Sequence, residues 1–81
     1  MQFDFTDHGR RPAASHIIAR WKAAGRPNCF SVVYGETFAE FALGGGRWHD
    51  SGNGCRGVKR DAVVKLLTAA GTVPTPGSPQ W

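Results

Sequence analysis

The stretch GNGCRGVKR, residues 52–60, combines closely spaced glycines with cations and is the part of the sequence best suited to bind an anion. Its glycines, at positions 52, 54 and 57, fit the spacing G-x-G-x-x-G, in which the backbone can approach a phosphate closely. A predicted helix follows, and a helix start presents unpaired N–H groups to an anion. The segment therefore predicts a phosphate contact made by three cations, Arg56, Lys59 and Arg60.

Neither of the two nucleotide-binding motifs with this spacing is complete. A dinucleotide site needs an acid about 20 residues further on to hold the ribose, and no Asp or Glu follows Asp61. A P-loop needs Lys and then Ser or Thr after its last glycine, where this chain has Val58 and Lys59. We therefore expect no cofactor. The alternative is a loop whose charges are only solvated, with Asp61 offsetting the cations of the first helical turn.

Two further groups of cations could extend such a contact. Arg47, Trp48 and His49 place an aromatic ring among basic residues, a mixture typical of sites where bases or sugars stack beside phosphate contacts. The alternative for Trp48 is a core position, which a small domain favours for its large apolar groups. Arg10 and Arg11 form the other group and predict a second contact.

Catalytic and metal sites have little support in the sequence. Cys55 and His49 could form a nucleophilic pair only if the loop folds back, and closeness in sequence does not establish that geometry. His49, Asp50 and Cys55 lack any C-x-x-C or H-x-x-x-H spacing typical of metal ligands. We predict a protein without catalysis or a metal, with Cys29 and Cys55 as reduced thiols.

Composition favours a small basic binding protein. The 81 residues allow one domain, and ten basic against six acidic residues give a net charge of +4 and a pI near 9.7. Seven of the ten cations are Arg, whose planar group suits phosphate and carboxylate. No apolar run is long enough to span a membrane and the start of the chain lacks the pattern of a signal peptide, so a cytoplasmic location is expected.

Apolar periodicity predicts two helices. The first runs from Pro12 to Ala24, opened by Pro12 or Ser15 and stopped by Gly25. The second runs from about Val58 to Ala70. Its expected buried stripe consists of Ala62, Val63, Leu66, Leu67 and Ala70.

Between the helices, the segment NCFSVVYGETFAEFAL predicts a hairpin about a two-residue turn, Gly35-Glu36, since Gly in the first position is typical of a type II′ turn. That turn fixes the register. Three pairs face the core: Phe30 with Phe41, Val32 with Ala39, and Tyr34 with Thr37. Val33 with Phe38 and Ser31 with Glu40 face solvent, where the apolar pair predicts either a partner contact or a surface spot without a role.

The fold class that follows is a small single α+β domain spanning residues 1–71, with the order β-α-β-β-(β)-α. An edge strand at Gln2 to Phe5 and a short strand at residues 47–50 complete an antiparallel sheet of two to four strands, with both helices on one face. Residues 72–81 are rich in proline and predict a disordered tail.

The order α-β-β-β-α from Pro12 to Ala70, with Lys59-Arg60-Asp61-Ala62 at the start of the last helix, resembles a double-stranded-RNA-binding domain. The resemblance implies that Lys59 and Arg60 contact phosphates and that the duplex is recognised by shape. The chain departs from the family in its very short hairpin turn, in extra residues after Gly54, and in lacking a Gly-Pro-x-His loop.

Two functions are consistent with these features. The first is a nucleic-acid-binding accessory or regulatory protein that contacts the phosphates of DNA or RNA through the glycine-rich loop and the start of the last helix. The second is an adaptor or inhibitor that binds a partner protein through an acidic surface of the partner or through Val33 and Phe38.

Overall fold

The computed structural model describes residues 1–54 and 57–70, which form four strands, two α-helices and one short 3₁₀ helix. In chain order these elements are β1 (Gln2–Asp4), the 3₁₀ helix (Thr6–His8), α1 (Ala14–Ala23), β2 (Cys29–Tyr34), β3 (Thr37–Gly44), β4 (Arg47–Gly52) and α2 (Arg60–Ala69). The predicted α+β class is confirmed. The predicted tail lies outside the described residues.

The four strands form one mixed sheet in the order β1-β2-β3-β4. β2, β3 and β4 are antiparallel as predicted, but β1 pairs with β2 in parallel, so the prediction of an antiparallel sheet is wrong for this strand. The reason is the connection: α1 carries the chain back along the sheet, so β2 must start at the same end as its neighbour β1.

The β2-β3 hairpin has the predicted register. Phe30 lies opposite Phe41 and Val32 opposite Ala39, while Val33 lies opposite Phe38 on the other face. Gly35 has φ +61°. Glu36 does not have a positive φ. A turn in which only the first of the two central residues has a positive φ is the type II′ pattern, and this turn sets the pairing.

Both helices begin two residues later than predicted. α1 begins at Ala14 with Ala13 as the residue before it, so the predicted opening by Pro12 or Ser15 is wrong: Pro12 lies before this position and Ser15 lies inside the first turn. Neither Ala13 nor Lys59, the residue before α2, makes a side-chain capping bond. α1 ends before Gly25 as expected. In α2, Leu66 was expected in the buried stripe but is 38% exposed. The side chains of Val63 and Leu67 face the core instead, and Leu66 lies to one side of them.

The core lies between the helices and one face of the sheet. Trp21 of α1 is fully buried and its ring centroid is 6.1 Å from that of Trp48 and 6.5 Å from that of Phe30. Its Nε1 donates a hydrogen bond of 2.9 Å to the Pro27 carbonyl oxygen. Buried side chains of both helices and of all four strands belong to this single cluster. Burying such groups stabilises the fold by roughly 1.5–3 kcal/mol per large apolar side chain.

The two helices run in the same direction. α2 begins beside the end of β4, where Arg60 bonds to Gly52, and ends where the Arg26 guanidinium donates to the Ala70 carbonyl oxygen at 3.4 Å. Arg26 follows the end of α1, so both helices end at the same side of the sheet and both begin at the opposite side. Within residues 1–54 and 57–70, no helix has the length and apolar character that a membrane span requires.

Candidate functional site

Close packing requires the three glycines of residues 52–60, at positions 52, 54 and 57. A Cβ at Gly52, whose φ is +104°, would collide with the carbonyl oxygen of Phe38 on the neighbouring strand. Gly54 and Gly57 are buried, and a Cβ at Gly57 would come within 2.7 Å of Thr37 Oγ1 and 3.0 Å of Tyr34 Cδ2. Gly52 and Gly57 therefore let this segment pack against the hairpin, and Gly54 lets it fold closely against Val58 and Arg60. That is a structural explanation for a spacing which, in the sequence, indicated an anion site.

Arg60 fastens the start of α2 to β4. Its Nε lies 3.4 Å from Asp50 Oδ2, and its Nη1 donates a hydrogen bond of 3.0 Å to the Gly52 carbonyl oxygen. The side chains of both ion-pair partners are 31% exposed. Its aliphatic stem also lines the position that a Cβ on Gly54 would take. Arg60 thus has a structural role, and its remaining exposure leaves a partly neutralised charge beside the helix start.

Lys59, Arg10 and Arg11 lie at the side of the sheet where both helices begin. Lys59 is the residue before the first turn of α2, and the two arginines precede α1; all three side chains are exposed. The fold therefore brings both groups of cations that the sequence singled out to one end of the domain. We call this region, with the starts of α1 and α2, the helix-start end.

A shallow depression lies along the first two turns of α2. Lys59, Arg60 and Lys65 supply its cations and Asp61 its acid, with Val58 and Ala62 as its apolar lining. Neither helix start has a side-chain cap in the described part of the chain, so their backbone N–H groups add positive potential here. The site is suited to an anion such as a phosphate.

Three of the predicted contact residues are not part of the helix-start end as the structure describes it. Arg47 is exposed but starts β4, at the side of the sheet opposite the helix-start end. Trp48 is only 7% exposed and its ring centroid lies 6.0 Å from that of Phe30, so the core alternative is the one observed. A ring in this position is not open to stack on a base. Arg56 lies outside the described residues.

The groups considered for catalysis or metal binding are not brought together. His49 and Asp50 follow one another in β4 and point to opposite faces of the sheet, His49 opposite Ala42 and Asp50 opposite Phe41. His49 Nε2 is 3.1 Å from the Gly44 carbonyl oxygen. Among the described residues no group of three or more His, Cys, Asp or Glu side chains could hold a metal ion. Cys55 lies outside the description, whereas Cys29 is an exposed free thiol.

Charge is segregated between the two layers of the fold, a feature that the sequence patterns did not predict. Residues 9–27 and 58–70, which contain both helices and which we call the helical layer, carry one acid, Asp61, against eight cations. Residues 1–8 and 28–54, which contain the sheet and which we call the sheet layer, carry one cation, Arg47, against five acids. The cations of the helical layer are Arg10, Arg11, Arg20, Lys22, Arg26, Lys59, Arg60 and Lys65.

No protein-family model matches the chain, and no curated protein or solved structure is significantly similar to it. The resemblance to a double-stranded-RNA-binding domain therefore rests on the order of the elements and on the basic start of the last helix.

Proposed function

We propose that this protein is a non-enzymatic module that binds the phosphates of a nucleic acid through its helical layer, chiefly at the helix-start end. The observation that carries this proposal is the charge segregation, which leaves eight cations and one acid in the helical layer. A protein of net charge +4 whose sheet layer is acidic presents a far more basic surface on one side than its total suggests. An accessory or regulatory role and a cytoplasmic location stay predictions.

The exposed cations of the helix-start end are the proposed phosphate contacts. Arg10, Arg11 and Lys59 have no ion-pair partner in the described part of the chain, so binding an anion breaks no interaction that they already make. Arg60 has a different role: it positions the start of α2 through Asp50 and Gly52 while adding partial charge. Arg56 remains a predicted contact from its place in the sequence.

Labelled nucleic acids provide the test. Fluorescence anisotropy of short double-stranded and single-stranded DNA and RNA is measured at several salt concentrations with the intact protein. A labelled ligand is preferable to intrinsic fluorescence because two of the three tryptophans, Trp21 and Trp48, are buried. We expect saturable binding whose logarithm falls linearly with the logarithm of salt concentration.

Single substitutions locate the interface. Arg11→Ala and Lys59→Ala should each weaken binding and reduce the salt slope by about 1, as expected for the loss of one phosphate contact. Arg47→Ala is the matched control, since it removes one exposed arginine from the opposite side of the sheet. Equal losses in all three variants, or no binding at physiological salt, would contradict the proposed interface.

The second function from the sequence, binding to an acidic surface of a partner protein, would use the same cations. The same titration separates the two, because a nucleic-acid site should discriminate duplexes or single strands from a polyglutamate of matched charge. Tighter binding of polyglutamate would favour the acidic protein partner.

A further inference from the structure

The sheet has one face that no described element covers. Side chains at alternate positions of the four strands point away from the core and form rows across the sheet. One row contains Asp4, Val33 and Phe38, and none of these three side chains is buried. We call this surface the outer sheet face. Its members in the three central rows are Gln2, Asp4, Cys29, Ser31, Val33, Phe38, Glu40, Ala42, His49 and Ser51.

An apolar spot lies at one end of this face. Phe38 is 38% exposed and lies directly opposite Val33, which is half-buried. The backbone under Phe38 is held in place, because its N–H donates a hydrogen bond of 2.6 Å to Asn53 Oδ1 while Asn53 Nδ2 donates to the Glu36 carbonyl oxygen at 3.2 Å. A preformed aromatic contact costs little conformational entropy when a ligand binds.

Two carboxylates flank this spot without a cationic partner. Asp4 lies beside Val33 on β1, and Glu40 follows two residues after Phe38 on the same face of β3. Neither is paired with a cation in the described part of the chain, where the ion pair present is that of Arg60 with Asp50. Hydrogen bonds from the Thr6 side chain and backbone hold the pKa of the Asp4 carboxyl below its ordinary value.

We propose that the outer sheet face binds a basic, extended segment of a partner protein, whose apolar side chain packs on Phe38 and Val33 and whose cations pair with Asp4 and Glu40. Charge complementarity selects this occupant, because the three central rows of this face contain two carboxylates, Asp4 and Glu40, and no Lys or Arg. The same carboxylates repel phosphate, so a nucleic acid is excluded from this face. The inference does not depend on the proposed function, which uses the other layer.

The spacing of the two carboxylates defines the segment that fits. Asp4 and Glu40 are two strands and two residues apart, which places their Cα atoms about 12 Å from each other in a regular sheet. An extended chain advances about 3.3 Å per residue, so cations four residues apart, with an apolar residue midway, match this distance. The expected pattern is basic-x-apolar-x-basic on one face of the bound segment.

Synthetic peptides test the proposal with the intact protein. The probe is a labelled, end-blocked peptide Ser-Arg-Ser-Leu-Ser-Arg-Ser, and two comparison peptides replace both Arg by Glu or the Leu by Ser. We expect the probe to bind and both comparison peptides to bind at least about threefold more weakly. Equal binding of the Glu peptide, or no binding of the probe, would overturn the proposal.

Matched pairs of variants place the peptide on the molecule. Glu40→Gln should weaken probe binding about threefold, whereas Asp61→Asn, which removes the same charge from the helical layer, should not. Phe38→Ser should also weaken it, whereas Leu66→Ser should not, although Leu66 on α2 is equally exposed at 38%. Circular dichroism checks that each variant is folded.

Two outcomes would show that the face has another role. If Glu40→Gln and Asp61→Asn weaken the probe equally, the attraction is general and the outer sheet face is not a site. If Phe38→Ser leaves peptide binding unchanged but alters the sedimentation of the protein, the face joins two copies of the chain, and the proposal of a basic partner is wrong.

Discussion

Asp4 links local hydrogen bonding to the pH dependence of stability. Its Oδ1 accepts a hydrogen bond of 2.8 Å from the Thr6 N–H, and bonds from the Thr6 side chain and backbone lower the pKa of the Asp4 carboxyl from 3.8. A lowered pKa in the folded state means that the ionised carboxylate stabilises the fold. This contribution is complete above the pKa of the unfolded chain and is lost as the pH falls through the lower pKa of the folded protein.

We therefore predict that Asp4→Asn lowers the free energy of unfolding at neutral pH and that the difference from the natural protein disappears in acid. The difference should be constant down to about one pH unit above the ordinary Asp value and should shrink below it. Chemical denaturation of both proteins over a series of pH values measures it. A difference that does not change with pH would show that the ionised carboxylate contributes nothing.

Substitutions at two glycines with positive φ distinguish the free-energy cost of an unfavourable backbone conformation from that of a steric clash. Gly46 has φ +82° and open space within 4 Å of the position that a Cβ would take, whereas a Cβ on Gly52 would meet the Phe38 carbonyl oxygen. Gly46→Ala should lower the free energy of unfolding by about 1–2 kcal/mol for the left-handed conformation alone. Gly52→Ala should cost more, because β4 must also move away from β3. Denaturant unfolding compares the two, and equal costs would contradict the predicted clash.

At the scale of elements, adjacent cations at the start of α2 have different roles. Lys59 is exposed and unpaired within the described residues, whereas Arg60 bonds to Asp50 and Gly52 on β4. Position at the helix boundary decides this difference, because Lys59 precedes α2 with a non-helical backbone (φ −85°, ψ 89°), whereas Arg60 is the first residue of the helix. The basic stretch in the sequence therefore contains one anchoring residue and one residue free to meet a ligand.

Substituting each cation by Ala should separate stability from affinity. Arg60→Ala is expected to lower the free energy of unfolding by about 1 kcal/mol through the loss of a partly exposed ion pair and a hydrogen bond. Lys59→Ala should leave stability within about 0.5 kcal/mol and weaken nucleic-acid binding. Thermal or denaturant unfolding and the anisotropy titration measure the two effects. Equal destabilisation by both substitutions would show that Arg60 does not anchor α2.

At the scale of the whole molecule, stability depends on a single aromatic cluster. Trp21 is fully buried at the point where α1 meets the sheet and contacts rings from β2 and β4. An 81-residue domain has a free energy of unfolding of about 4–12 kcal/mol. Losing one central ring can therefore remove much of the margin by which the protein is folded.

We predict that Trp21→Ala lowers the free energy of unfolding by roughly 3–5 kcal/mol, enough to leave part of the population unfolded. Leu66→Ala is the control, because this side chain is 38% exposed and its loss should cost less than about 1 kcal/mol. Urea unfolding followed by circular dichroism measures both. A cost below about 1 kcal/mol for Trp21→Ala would mean that the cluster does not determine stability.

Charge is also arranged at this scale. Ten cations and six acids give the chain a net charge of +4, and its basic and acidic segments alternate in sequence. The fold collects them on opposite layers, because α1 and α2 pack side by side while strands from both halves of the chain form one sheet. The proposed phosphate surface and the proposed surface for a basic segment are both consequences of this separation.

Local patterns in the sequence determined the α+β class, the existence of both helices, and the hairpin with its register. These features depend on short-range physics: a two-residue turn led by Gly35 fixes which residues pair, and the 3.6-residue period fixes which helical side chains can be buried together. The core position of Trp48 follows from composition as the alternative to a contact role, since a small domain must bury its largest apolar groups.

Only the tertiary structure decided the parallel pairing of β1, the separate roles of Lys59 and Arg60, and the meaning of the glycines at positions 52, 54 and 57. Each depends on which residue lies opposite after folding: β2 for the first strand, Asp50 for Arg60, and Phe38 for Gly52. For Gly54 the neighbours are Val58 and Arg60, and for Gly57 they are Thr37 and Tyr34. A closely spaced set of glycines has the same sequence whether the backbone approaches a phosphate or another strand, because both require the absence of a Cβ.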